Sequence, residues 1–207
     1  MSLKPSPEAK RSARLYLASQ SPRRAELLEQ IGVTFEKLSV ETDETVLAGE
    51  LPAAYVQRVA IAKAQAGLAV VKQQGLKPLP VLGADTAVII ADQIMGKPRD
   101  RDHVLAMLGQ LSGKTHRVMS AICLCYQQHQ ELALSITEVS FREITAAELE
   151  QYWLSGEPLG KAGAYAIQGL GAVFVEKING SYSAVVGLPL LETQQLLQSI
   201  EQMDAHE

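Results

Sequence analysis

The sequence predicts an α/β fold built on a mixed, twisted sheet with flanking helices. Three observations carry this. In the first half of the chain, short apolar runs alternate with helical stretches. The run VLGADTAVII at residues 81–90 is almost continuously apolar, as in a strand buried on both faces. Residues 116–126 and 132–142 are two β-rich segments around a polar turn, which reads as an antiparallel hairpin and rules out a purely parallel sheet.

Each element follows from its own signal. Residues 15–18 (LYLA) form a first strand. Ser21-Pro22 gives an N-cap and first helical residue, and Gly32 ends that helix. Residues 35–40 alternate and predict a second strand, followed by an acidic turn at residues 41–44. A long helix is expected over residues 53–72, stopped by Gly75, Pro78 and Pro80. After the buried strand, Asp92-Gln93 turns the chain into Ile94-Met95. A helix at residues 100–111 carries Val104, Met107, Leu108 and Leu111 on one stripe. Beyond the hairpin comes a helix at residues 146–154. Residues 156–187 hold seven of the 15 glycines, so a loop-rich region with one strand at residues 172–176 is expected. A last helix runs from Pro189 to about residue 202.

The 207 residues fit one domain at ~100–200 residues per domain, with residues 15–207 as a single unit of two lobes. Residues 1–14, with four basic residues and two prolines, read as a disordered tail and lack the apolar stretch of a signal peptide. The net charge of −4 argues against nucleic acid or an anionic membrane as partner, so an anionic ligand needs a local basic cluster. No run approaches the ~20 apolar residues of a membrane span. Cys123 and Cys125 share one face of a strand, poor geometry for a disulfide, and fit a reducing cytosol.

Two phosphate motifs fail. Gly109 stands one residue too close to Ser112-Gly113-Lys114-Thr115 for a Walker loop, and Phe174 replaces the last glycine of a dinucleotide fingerprint begun at Gly169. Other residues carry stronger signals. Arg23 and Arg24 lie in the first turn of a helix, where cations oppose the helix dipole by ~0.3–1 kcal/mol each. An anion held there with Ser19 and Ser21 relieves the conflict, the alternative being two solvated arginines. Lys63 falls at the centre of the apolar stripe of Val56, Val59, Ala60, Gly67 and Val70, which calls for a phosphate partner or a snorkelling side chain. Asp85 interrupts the buried strand, as a functional carboxylate or a hydrogen-bonded structural one. Glu41, Asp43 and Glu44 could join it at a metal. Gln168 offers an amide suited to a nucleobase edge, or is an ordinary loop glutamine.

These residues sit in a recognisable series. Leu17-Ala18-Ser19-Gln20-Ser21-Pro22-Arg23-Arg24 resembles the opening signature of the Maf family. The resemblance continues through Lys63, Gly83-Ala84-Asp85-Thr86, Gly96-Lys97-Pro98, the segment Leu111 to His116, Gly163 to Gly169, and Val186-Gly187-Leu188-Pro189, over about residues 15–200. Gln20 stands where a small residue is common. The resemblance implies a two-lobed fold like that of the inosine triphosphate pyrophosphatases, with a deep cleft, in a cytoplasmic homodimer. It implies hydrolysis of dTTP and UTP, or modified pyrimidine triphosphates, to the monophosphate and pyrophosphate with a divalent cation, Mg or Mn. A branch acting on 7-methyl-GTP differs where Ala84, Thr86 and Gln168 stand. Carried over by position, Asp85 is the proton acceptor and Arg23, Thr86 and Gln168 shape specificity. Ser19, Arg24, Glu44, Lys63 and Lys97 line the cleft, and Glu44 with Asp85 would hold the metal. A nucleotide-binding regulator of septum formation without turnover is the rival reading, and a phosphatase acting on other phosphates is a second.

Overall fold

The computed structural model describes residues 13–204, so most of the tail expected at residues 1–14 lies outside the described residues. The elements are β1 (Leu15–Ala18), α1 (Pro22–Gln30), β2 (Phe35–Lys37), α2 (Pro52–Gln73), β3 (Val81–Ile90), β4 (Gln93–Met95), α3 (Arg101–Leu111), β5 (Thr115–Tyr126), β6 (His129–Phe141), α4 (Ala146–Leu154), β7 (Val175–Asn179), α5 (Tyr182–Val186) and α6 (Leu190–Asp204). Two 3₁₀ turns, Ala162–Ala164 and Leu170–Phe174, lie between α4 and β7.

One seven-stranded sheet runs in the order β2-β1-β3-β5-β6-β7, with β4 pairing β3. The β1–β2 and β1–β3 pairs are parallel, and β3–β5, β5–β6 and β6–β7 are antiparallel. The expected mixed α/β sheet is therefore present, and it changes character at β3. On one edge of β3, β1 pairs only as far as Ala18↔Gly83, and β4 joins only from Val88↔Met95. Residues 84–87 thus have a ladder neighbour on the β5 side alone, where Asp85 pairs Ala121 and Thr86 pairs Ser120. The gap between β1 and β4 opens the cleft.

Alternation along β3 and β5 feeds two faces. Toward α2 point Gly83, Asp85, Ala87 and Ile89, packed with Val56, Val59, Ala60 and Ala64. The opposite face carries two apolar clusters. One joins Leu15, Leu17, Leu82, Ala84, Ile122 and Leu124 to α1 and α6. The other joins Val88, Val118, Val139 and Phe141 to α3 and α4. Between these clusters, on the same face, stands the hydroxyl pair Thr86–Ser120, 2.8 Å apart. Gly83 is required by close approach, because a Cβ there would lie 2.4 Å from the Ala60 carbonyl oxygen and 2.5 Å from the Ala64 nitrogen of α2.

Three local expectations differ. The second strand stops at Lys37 rather than residue 40, because its partner β1 ends at Ala18 and only the Leu38 N–H still reaches Leu17. The hairpin turn is the two residues 127 and 128, with Tyr126 already facing His129. A polar solvent face does not stop a ladder, so His129 and Gln130 belong to β6. Of the strand expected at residues 172–176, residues 172–174 belong instead to the 3₁₀ turn Leu170–Phe174 and β7 begins at Val175, because the Glu157 carboxylate takes the N–H groups of Leu170 and Gly171.

Candidate active site

A cavity of about 730 Å³ opens at the gap in the sheet. Its wall includes Ser19, Arg23 and Arg24 from the β1–α1 turn, Glu44 from the following loop, Lys63 from α2, Asp85 and Thr86 from β3, Lys97 after β4, and Gln168. Every site residue expected from the sequence faces this one space, except Asp43 of the acidic turn. Tyr55, Lys161 and Tyr165 face it too and carried no signal of their own, although Tyr55 lies eight residues before Lys63 on the same helical stripe. Ser120, a buried hydroxyl in an apolar strand, repeats the anomaly that marked Asp85.

On the α2 face, Lys63 is buried and its Nζ lies 2.9 Å from Asp85 Oδ1 and 2.7 Å from Glu44 Oε1. Its place on the stripe is as expected. Its partners, however, are two carboxylates of the protein, where the sequence reading looked to an external phosphate or to solvent. A buried charge needs a partner close by, and β3 supplies one two residues past the Gly83 contact that brings α2 near. Lys97 extends the chain of charge, 3.8 Å from Glu44 Oε2. Burial pushes the Glu44 carboxyl up, but hydrogen bonding and charge from Lys63, with Lys97 and Arg24, outweigh it and leave Glu44 below its ordinary value.

The loop that presents Glu44 is tied down although it has no regular structure. Arg58 on α2 donates to both carboxylate oxygens of Glu50 and to the Thr45 carbonyl, and Tyr55 Oη donates to the Glu44 carbonyl at 3.1 Å. The Arg58 bond and charge hold Glu50 at about 2. Asp43 is spent on the Thr45 N–H. Of the acidic turn, only Glu44 reaches Lys63 by an ion pair.

On the other face, Arg24 is buried and donates from Nε to the Gly187 carbonyl (2.9 Å), from Nη1 to Ser19 Oγ (3.0 Å) and from Nη2 to Thr86 Oγ1 (3.4 Å). All three acceptors are neutral, so the guanidinium charge is not cancelled by direct contact. Burial lowers its pKa, partly opposed by Asp85 and Glu44. Ser21 occupies the N-cap of α1, but its hydroxyl makes no capping bond, and the first turn holds no acidic residue. The cap position thus presents the start of α1 and two arginines to the cavity.

The cavity wall carries Arg23, Arg24, Lys63, Lys97 and Lys161 against Glu41, Glu44 and Asp85. In a chain of net charge −4, this local excess of positive charge is a ready site for a polyanion. Among the described residues, no group of three or more His, Cys, Asp and Glu could hold a metal alone.

Residues 14–200 match the Maf-like protein family. The chain belongs to the Maf-like family. It is 55% identical over 190 residues to a dTTP/UTP pyrophosphatase of Saccharophagus degradans, covering 92% of this chain and 90% of that protein. A dTTP/UTP pyrophosphatase of Shigella dysenteriae is 52% identical over 197 residues, with 93% and 98% covered. One from Escherichia coli O157:H7 has the same identity and coverage. No helix among the described residues is long and apolar enough to cross a membrane.

Proposed function

We propose that this member of the Maf-like family hydrolyses dTTP and UTP between the α and β phosphates, releasing the monophosphate and pyrophosphate. The carrying observation is the buried Asp85–Lys63 pair, joined at its open side by the partly exposed Glu44, beneath a cationic cavity wall, in a chain more than half identical to proteins named dTTP/UTP pyrophosphatase. Asp85 accepts a proton from the water that attacks the α phosphorus, and Lys63 fixes its carboxylate. Arg23, Arg24 and Lys97 bind the charge that builds on the departing pyrophosphate, with Ser19 beside Arg24. Thr86 and Gln168, with Arg23, select the base.

The donor set fits a divalent cation, Mg or Mn. Glu44 and Asp85 converge on one ammonium, and such ions bind through one or two carboxylates with substrate phosphates and water supplying the rest. When bound, the ion would neutralise phosphate charge. The two buried cysteines are free, which supports a cytoplasmic setting, and the family resemblance supports a homodimer.

The test is incubation with dTTP, UTP, CTP, ATP, GTP and 7-methyl-GTP in Mg²⁺ or Mn²⁺, with product identification. Monophosphate plus pyrophosphate, fastest from dTTP and UTP, is expected. Orthophosphate as the product, binding without turnover, or faster turnover of 7-methyl-GTP would overturn the proposal.

A further inference from the structure

Gln168 is exposed at the crown of a turn closed by Gly169 N–H donating to the Ala166 carbonyl at 3.2 Å. Both ends of this turn are held by two side chains. Before the crown, the Ala166 N–H donates to Tyr152 Oη at 3.1 Å. After it, the Leu170 N–H donates to Glu157 Oε2 at 2.8 Å and the Gly171 N–H donates to Glu157 Oε1 at 3.0 Å. Tyr152 Oη donates to Glu157 Oε1 at 2.7 Å, which links the two anchors. Tyr152 is itself buried edge-on against Phe174, with ring centroids 5.1 Å apart. The backbone lies against this pair so closely that a Cβ on Gly169 would stand 2.1 Å from Glu157 Oε2, and one on Gly171 2.8 Å from Tyr152 Oη.

This clamp matters because of a chemical ambiguity. The side-chain amide of Gln168 offers one donor and one acceptor. Uracil presents an adjacent acceptor and donor at O4 and N3–H, and guanine presents the same pair at O6 and N1–H. Hydrogen-bond type therefore cannot separate UTP from GTP. What separates them is how far that edge lies from the phosphates, since a purine is longer by one ring. Only an amide held at a fixed distance from the cationic wall can measure that length.

We infer that Glu157 and Tyr152 are positioning residues that fix the depth of Gln168 in the cleft and so make the enzyme prefer a pyrimidine over a purine. The inference rests on the proposed reading of Gln168 as a base-facing residue. Both Glu157 oxygens are used as acceptors, so Glu157→Gln puts an amide N–H against a backbone or phenol donor. Tyr152→Phe removes the anchor of Ala166 while keeping the ring against Phe174.

The experiment measures kcat and KM for UTP and GTP in the wild type and in Glu157→Gln, Tyr152→Phe and Gln168→Ala. Leu197→Ala on α6, in the apolar cluster shared with α1 and not in the one that holds Tyr152, serves as a generally destabilised control, and the melting temperature of each variant is recorded. Expected is a fall of about tenfold in the UTP-over-GTP ratio of kcat/KM for the two clamp variants, the scale on which misplaced contact groups act. That fall should come through KM, with kcat for UTP within about threefold of wild type. Leu197→Ala should lose melting temperature without moving the ratio. If Gln168→Ala lowers the ratio but both clamp variants keep it, or if Leu197→Ala lowers it equally, the positioning role is overturned. If Gln168→Ala leaves the ratio unchanged, the base-facing reading itself fails.

Discussion

At the scale of single residues, the ion pair of Lys63 and Asp85 is where the proposed chemistry rests. Asp85→Asn keeps the shape of the side chain and leaves Lys63 its second partner, Glu44. The variant should fold and bind nucleotide, while turnover falls ~10²-fold or more, as for a lost general base. Steady-state kinetics beside a nucleotide titration checks both halves. Lys63→Met puts an apolar residue on an apolar helical stripe, yet it should destabilise. Because Lys63 joins Asp85 to Glu44, its loss leaves a buried carboxylate unpaired and should cost ~3 kcal/mol of stability at neutral pH, reduced by the partial exposure of Glu44. Adding Asp85→Asn should restore much of this. Denaturant unfolding of the single and double variants measures it, and a double variant no more stable than Lys63→Met would refute the ion-pair account. Pyrophosphate at ~100 times its wild-type dissociation constant should stabilise the wild type by ~2.7 kcal/mol and, at the same concentration, Arg23→Ala by clearly less. The sequence made Lys63, Asp85, Arg23 and Arg24 legible one at a time, since each broke a local rule: a lysine on a stripe, a carboxylate in a strand, arginines at a helix start; Thr86 and Lys97 broke none and came only from the family resemblance. Which of them bond to one another was not legible. That Arg24 spends its donors on Ser19, Thr86 and Gly187 depends on a carbonyl 163 residues away.

At the scale of elements, the contact between α2 and β3 sets the site. Gly83 lets the helix backbone approach until Lys63 meets Asp85. Gly83→Ala forces either the helix or the strand to move, at a cost of ~1–3 kcal/mol for overpacking. Its activity should fall more than its stability predicts, because the displaced partners are Lys63 and Asp85. Comparing melting temperature and kcat with those of a core variant of equal stability, such as Leu108→Ala, checks this. Equal activity loss in both would remove the special role of the contact. Long periodic elements could be read closely from sequence: β3 and α4 fall on their expected residues, and α1, α2, α3 and α6 within one or two. Elements held by tertiary bonds could not. The 3₁₀ turn at Leu170–Phe174 exists because Glu157 accepts its first N–H groups, and α5 rests on a cap by Ser181, neither of which has a period to detect.

For the molecule as a whole, the two clusters on one face of the sheet meet their limits in acid. His116 is buried in the α3–α4 side, edge-on to Phe141 and Tyr165, with Nε2 2.8 Å from Tyr165 Oη. Burial lowers its pKa from 6.5 to about 4. The native state thus holds this ring neutral while the unfolded chain takes up a proton below pH 6.5. Its contribution is complete above pH 6.5 and is lost as the pH falls toward 4, to the extent of ~3 kcal/mol. Urea midpoints measured across that window should fall steadily in the wild type, and His116→Gln, less stable overall, should show a flatter slope. An unchanged slope would show that other groups govern the acid limb. The alternation of β3 has one more consequence, for how such a chain can change its length. Asp85 and Thr86 are neighbours that serve opposite faces, one beside Lys63 and the other beside Arg24. A one-residue insertion or deletion between Val81 and Asp85 would turn every following side chain to the wrong face. The carboxylate would then be delivered to the hydroxyl side, and the hydroxyl to the ammonium. Gains and losses of residues are thus shut out of this strand more strictly than replacements are, and must fall in the loops around it.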